Sequence, residues 1–180
     1  MTNLATPAPT PAEKTLRRVL FISLCDGWSI IVIAALGLLV TLLLGDLSGI
    51  AIALLVLLAG LIELRGRKQL QRRNAEGMKL LVRSQVFLLT VILVYCASRL
   101  GSYDAESMLA NLTPDMQAML TEAGLQVSDI VPLVHTAFLV LYITVALVTL
   151  IYQGGLALYY RSRTKPVAEA LAARSNGPLA

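Results

Sequence analysis

From Val19 to Leu44 the chain contains no Lys, Arg, Glu or His and one acid, Asp26. About 20 apolar residues in a helix cross the roughly 30 Å hydrocarbon core of a bilayer, so a run of this kind constrains the fold more than any other feature. Three further runs follow, from Ile50 to Leu64, Leu80 to Leu100 and Val131 to Leu158. The second is near the short limit for a span and needs Ser48 and Gly49 to complete it. Inside lipid every backbone N–H and C=O must be satisfied within the protein, which leaves helices or a closed barrel. With 57% hydrophobic and 14% charged residues, the composition lies outside that of soluble globular domains. The expected fold is all-α, a four-transmembrane-helix bundle.

The layout expected from these runs has three parts. Residues 1–15 form a disordered cytoplasmic tail, with Pro7, Pro9 and Pro11 close together. Residues 16–160 form the membrane domain, with spans at about 18–44, 48–64, 80–100 and 131–158. Residues 161–180 form a basic, disordered cytoplasmic tail. The first run is too long for a signal-peptide core and lacks a small-residue cleavage site before Gly45, so it is expected to stay as a span. Gly45, Asp46, Ser48 and Gly49 supply the composition of a tight turn joining spans 1 and 2.

Orientation follows from Lys and Arg, which accumulate in short cytoplasmic loops. Lys14, Arg17 and Arg18 precede span 1, and Arg65, Arg67, Lys68, Arg72, Arg73 and Lys79 lie between spans 2 and 3. Arg161, Arg163, Lys165 and Arg174 follow span 4, while residues 101–130 hold only acids. Both termini and the basic loop are therefore expected in the cytosol of a cell whose cytoplasmic membrane holds the protein. Arg65, Arg67, Lys68, Arg72 and Arg73 are the expected contacts to anionic lipid headgroups, each worth roughly 1 kcal/mol near such a surface. The basic loop is expected to continue helix 2 as an elbow ending near Gly77. It contains no aromatic residue and nucleic acid is not an expected partner.

In the outer loop, residues 105–112 and 114–123 carry apolar residues at helical spacing, and Thr113 before Pro114 is a good helix start. Short amphipathic helices are expected there between spans 3 and 4, ended by Gly124. Asn111, Leu112 and Thr113 match a glycosylation sequon that Pro114 weakens.

Ionisable residues within spans cost roughly 2.5 to 3.5 kcal/mol each and need partners. Asp26, Arg83, Gln85 and Gln153 are the expected intramembrane polar network, with an Asp26–Arg83 ion pair at its centre. In the alternative, Arg83 snorkels to the inner surface and Asp26 bonds to Ser23 or Ser29. Glu63 lies four residues before Arg67, the spacing of a helical ion pair. Arg99 is expected to pair locally with Asp104 or Glu106. On span 4, His135, Tyr142, Thr149 and Gln153 fall on one helical face, read as the inward seam of a bundle, with a proton or ion path as its alternative.

Cys25 and Cys96 belong to no Cys-x-x-Cys or Cys/His cluster and are read as small buried residues. The one histidine, the missing paired carboxylates and the missing metal-ligand spacing leave no parts for an enzyme or a resident cofactor. The outline is similar to that of four-span families such as tetraspanins and claudins, but their Cys-Cys-Gly motif and paired outer-loop cysteines are missing, so no function carries over. Small residues at Gly49, Ala51, Ala53, Ala59 and Gly60 would permit close helix contacts. The functional expectation is an interaction or assembly unit that forms a homo-oligomer or joins another membrane protein. The alternative is an oligomeric channel or transporter using the span 4 seam and Asp26.

Overall fold

A computed structural model of the chain describes residues 10–102, 119, 122, 124 and 127–176. They form four α-helices: α1 (Pro11–Leu44), α2 (Leu47–Gln71), α3 (Gly77–Gly101) and α4 (Val127–Asn176). Each contains a stretch long and apolar enough to cross a membrane. The expected amphipathic helices over 105–112 and 114–123, the sequon at Asn111 and the Arg99 pairing with Asp104 or Glu106 lie outside the described residues, save that Gly124 has φ +70°.

Local chemistry sets the helix ends. Thr10 caps α1 by accepting from the Glu13 backbone N–H, while Glu13 Oε2 accepts from the Thr10 backbone N–H at 3.0 Å. With Pro11 opening the helix, this is a complete capping box. The expected tail of 1–15 is thus corrected: the helix begins at Pro11, because the Thr-Pro-x-Glu spacing satisfies its first N–H groups. At the other end Gly45 adopts the left-handed conformation at φ +68° and closes α1, and Asp46 starts α2 by accepting from the Ser48 N–H and hydroxyl.

The basic loop differs from its expected form. α2 ends at Gln71, Arg73 takes a left-handed φ of +63°, and Asn74 accepts from the Glu76 N–H to make a tight turn. Gly77 begins α3 rather than ending an elbow. A Cβ on Gly77 would strike the Gly66 carbonyl oxygen and lie 2.8 Å from Leu70 Cγ, so only glycine lets the start of α3 sit this close to α2.

The chain divides into two compact units. One, spanning residues 1–91 and 152–180, contains α1, α2, the first part of α3 and the last part of α4. There Leu16, Val19, Leu70, Met78, Leu81, Tyr160, Val167, Ala170 and Leu171 pack into one buried cluster. α1 and α2 approach closely: a Cβ on Gly27 would stand 2.8 Å from Leu64 Cδ2, and one on Gly60 would stand 2.8 Å from Ile31 Cγ1. The other unit, residues 92–151, contains the rest of α3 and α4. In it Tyr142 stacks at a tilt on Phe138 and on Tyr95, with ring centroids 4.5 and 6.0 Å apart, and Arg99 lies 5.3 Å above the Tyr95 ring.

α4 overturns the expectation of a disordered C-terminal tail after residue 160. Its 50 residues extend about 75 Å, more than twice the thickness of a hydrocarbon core. Beyond Leu158 the helix becomes amphipathic: Tyr160, Val167, Ala170 and Leu171 are buried while Arg161, Arg163 and Lys165 are exposed. Burial of such side chains away from water contributes roughly 1.5 to 3 kcal/mol each, enough to carry Pro166 within the helix.

Candidate functional site: a buried carboxylate cluster

The small-residue face of α2 determines where Glu63 goes. Gly49, Ala53, Ala59 and Gly60 are buried, and Glu63 follows on the same face at helical spacing. It is fully buried, as are Ser84 and Gln85 of α3, and Asp26 of α1 is 3% exposed. Ser84 Oγ donates to the Ala59 carbonyl oxygen at 2.7 Å, which seats α3 against α2 at this level.

Gln85 is the centre of the cluster. Its single amide nitrogen donates to Asp26 Oδ2 at 2.7 Å and to Glu63 Oε2 at 2.8 Å. The second oxygen of each acid is taken by α4, with the Tyr152 hydroxyl donating to Asp26 Oδ1 at 3.0 Å and the Tyr160 hydroxyl to Glu63 Oε1 at 2.9 Å. All four carboxylate oxygens thus have a donor, and four helices contribute to one network. Among the described residues no Lys, Arg or His bonds to either acid.

Several expected partners are placed elsewhere. No ion pair joins Asp26 to Arg83 among the described residues. Two residues along a helix is a rotation of about 200°, so with Gln85 directed inward Arg83 lies on the opposite face. Arg83 is exposed and lines a groove with Lys79 and Arg161 at the basic end. The Glu63–Arg67 helical pair is not formed either: Arg67 Nε donates to the Leu20 carbonyl oxygen at 3.1 Å, tying α2 to α1. Of the alternative partners for Asp26, Ser29 Oγ donates to its backbone oxygen and Ser23 Oγ to the Leu20 oxygen.

The expected seam of α4 divides. Gln153 is buried, with an Oε1 that has no hydrogen-bond partner, Tyr142 and Thr149 are half-buried, and His135 is exposed. Gln153 is not bonded to Asp26 or Gln85 among the described contacts. Of the expected headgroup residues, Arg65, Lys68, Arg72 and Arg73 are exposed and Arg67 is half-buried. Cys96 is buried, but Cys25 is exposed, correcting its reading as a buried residue: it points away from the Ser23, Asp26 and Ile30 face that α1 turns inward.

Tyr152, Tyr160 and Glu63 were not anticipated as members of the network. The signal for Glu63 was its register with Ala59 and Gly60; that for Tyr160 was its spacing of seven from Gln153. Tyr152 carries no such signal, since its ring is largely exposed and only its hydroxyl reaches the cluster.

Fold and cluster together define an all-helical protein with four helices long and apolar enough to cross a membrane, joined by two buried acids that share one amide donor. Comparison with protein-family models, with curated proteins and with solved structures gives no match.

Proposed function

We propose that the chain is a membrane-embedded assembly unit, in which the carboxylate cluster fixes the helices and α4 offers its open face to a second copy. One observation carries this reading. The close-packing glycines of α2 are consumed inside the chain, whereas Gly154 and Gly155 of α4 have nothing within 4 Å of where a Cβ would stand. Small residues in lipid-exposed helices let backbones approach, and association there depends on such contacts rather than on hydrophobicity. Leu147, Ile151, Gly155 and Leu158 follow one another on a single exposed face. Only 6% of the most apolar stretch of α4 is buried, against 17 to 33% for the other helices.

In this reading both termini and the basic end face the cytosol by the distribution of Lys and Arg, and the protein sits in the cytoplasmic membrane. Exposed Arg65, Lys68, Arg72 and Arg73, with half-buried Arg67, rest on anionic headgroups. Cross-linking tests the assembly. In a Cys25→Ser background, Leu158→Cys in native membranes is expected to form a disulfide-linked pair under oxidation, and Gly155→Leu is expected to abolish it. Monomers only, in membranes and in detergent-free mass measurement, would remove the reading. A different membrane protein in the cross-linked product would keep the surface and change its occupant.

The carboxylate pair favours a second reading, an oligomeric channel or transporter. Two acids without a basic partner inside apolar helices are a place to hold a proton or a monovalent cation, and intramembrane acids commonly mark ion pathways. Flux into liposomes that is lost on Asp26→Asn and on Glu63→Gln would promote it, and no flux across a broad panel of ions and pH would dismiss it.

A further inference from the structure

Gln85 holds the two acids of the buried cluster through one nitrogen, and its amide oxygen is left over. The residue is fully buried, and its Oε1 has no hydrogen-bond partner. The cluster thus contains five acceptor oxygens, four on the carboxyl groups and one on the amide. Against them stand four hydrogens, two from the Gln85 amide and one each from Tyr152 and Tyr160. It is one hydrogen short. Its charge is short in the same sense, since Asp26 and Glu63 carry two negative charges when both are ionised. Among the described residues no cation bonds to the pair from any of the four helices. On α1 the neighbouring Cys25 is exposed, and on α2 Arg67, one turn beyond Glu63, is bonded to the Leu20 carbonyl oxygen. On α3 Arg83 lies on the face opposite Gln85, and α4 presents the two tyrosines.

A buried acceptor without a donor is unfavourable, and two carboxylates that share one donor in apolar surroundings do not both ionise. One addition corrects both shortages. We infer that the cluster is a proton-binding site, which holds one proton on the Asp26–Glu63 pair with Gln85 Oε1 as the acceptor of the new O–H. The covalent form of the amide supports this. One of its two N–H bonds lies on the same side as Oε1, so the acid that takes that hydrogen has Oε1 beside it. A carboxylate can only accept there, whereas a carboxyl group accepts from the N–H and donates to the oxygen of the same amide. Binding takes the pair from two negative charges to one and breaks no existing bond, because a protonated oxygen still accepts. A metal cation suits the cluster less, since it asks for a shell of several oxygens free to coordinate it. Here four of the five oxygens already take a hydrogen, and among the described residues no third acid, His or Cys joins them. The inference deepens the second reading above, on which it rests for the placing of the acids inside apolar helices, by naming the occupant and its acceptor.

Infrared spectra of the full-length protein in dodecyl maltoside, a detergent with no carbonyl group, read the proton through the carboxylic-acid C=O stretch. At neutral pH the protein is expected to show this band, to shift it in D2O and to lose it as the pH is raised. Asp26→Asn with Glu63→Gln is expected to remove it. Gln85→Met is expected to keep the band and move it to higher wavenumber, because the carboxyl group has lost its donor and its acceptor together. Glu76→Gln, in the exposed turn before α3, is expected to leave it unchanged. Replacing choline by Na+, Li+ or K+ at constant ionic strength is expected to leave it in place. Should the double variant fail to fold, the unaltered protein and Gln85→Met still decide. The proposal would be overturned by the lack of the band at neutral pH, by a band that survives the double variant or stays at the same wavenumber in Gln85→Met, or by one that an alkali ion removes. The spectra need neither a gradient nor a second copy, so a protein with the band but no flux into liposomes keeps the proton site and loses the transport reading.

Discussion

Replacing Gln85 with Met is the most informative single change to the cluster. Methionine has nearly the volume of glutamine, so packing is retained while the one nitrogen that bridges Asp26 and Glu63 is lost. Each acid then keeps one donor, from Tyr152 or Tyr160, and each has one buried oxygen without any. Hydrogen bonds to charged groups are worth about 1.5 to 3 kcal/mol, which for two bonds gives about 3 kcal/mol at the low end. Hydrogen bonds measured between membrane helices average nearer 0.6 kcal/mol, because unfolded helices in lipid find other partners, and two such bonds give about 1 kcal/mol. The expected loss therefore lies at about 1 to 3 kcal/mol. It is read from the denaturation midpoint and slope in mild detergent, alongside Arg83→Leu as the control that the sequence alone would have chosen. Arg83 is exposed, so its replacement is expected to leave stability unchanged. The structure's account of Asp26 would be refuted by Gln85→Met with wild-type stability, and equally by Arg83→Leu with a loss as large as that of Gln85→Met.

Other expectations follow from particular contacts. Gly60→Leu drives a side chain into Ile31 and the Gly27 carbonyl oxygen, and overpacking of this kind is expected to lower stability by about 1 to 3 kcal/mol in the same assay. Gly155→Leu, in open space, is expected to spare stability and to remove only the cross-link. Leu171→Ala, in the packed cluster of the amphipathic part of α4, is expected to cost about 2 to 4 kcal/mol, and proteolysis within residues 161–176 should speed up in that variant. Tyr160→Phe removes one bond from Glu63 and is expected to cost about 1 kcal/mol, and a cycle with Gln85→Met should show non-additivity because both act on the same carboxylate.

What the sequence made legible was set by the length and apolar character of its runs. Four long apolar runs demand four helices, and Gly45-Asp46 demands a turn, irrespective of what packs where. Partner choice among the apolar helices was less legible, because periodicity tells which residues share a face but not which faces meet. Asp26 was correctly marked as needing a partner, yet the choice of Arg83 followed charge, whereas Gln85, two residues further, had the right angular position. Glu63 was assigned to Arg67 by the ordinary rule for helices in water, and its register with Ala59 and Gly60 was the stronger constraint. The continuation of α4 was obscured by Pro166 and by a high density of Arg and Lys, both of which resemble a tail. The spacing of Tyr160, Thr164, Val167 and Leu171 by four, three and four was the counter-signal, and it describes an amphipathic helix.

A contrast along α4 explains why the cluster and the open face of α4 belong to one design. Beyond Leu158, apolar side chains hold α4 to the other helices by hydrophobic burial at Val167, Ala170 and Leu171. In the membrane-embedded reading proposed above that force is missing within the apolar runs, since lipid chains are as apolar as leucine, and helices there are held by close backbone approach and by polar bonds. α1 and α2 use close approach through Gly27 and Gly60. α4 has no buried glycine in its apolar part, and polar attachment to the acids is made there by Tyr152 on Asp26 and, just beyond Leu158, by Tyr160 on Glu63. Two directional bonds from two aromatic side chains fix the rotation of α4 without consuming its small residues. Gly154 and Gly155 are left with open space beside them, the surface that the proposed assembly uses.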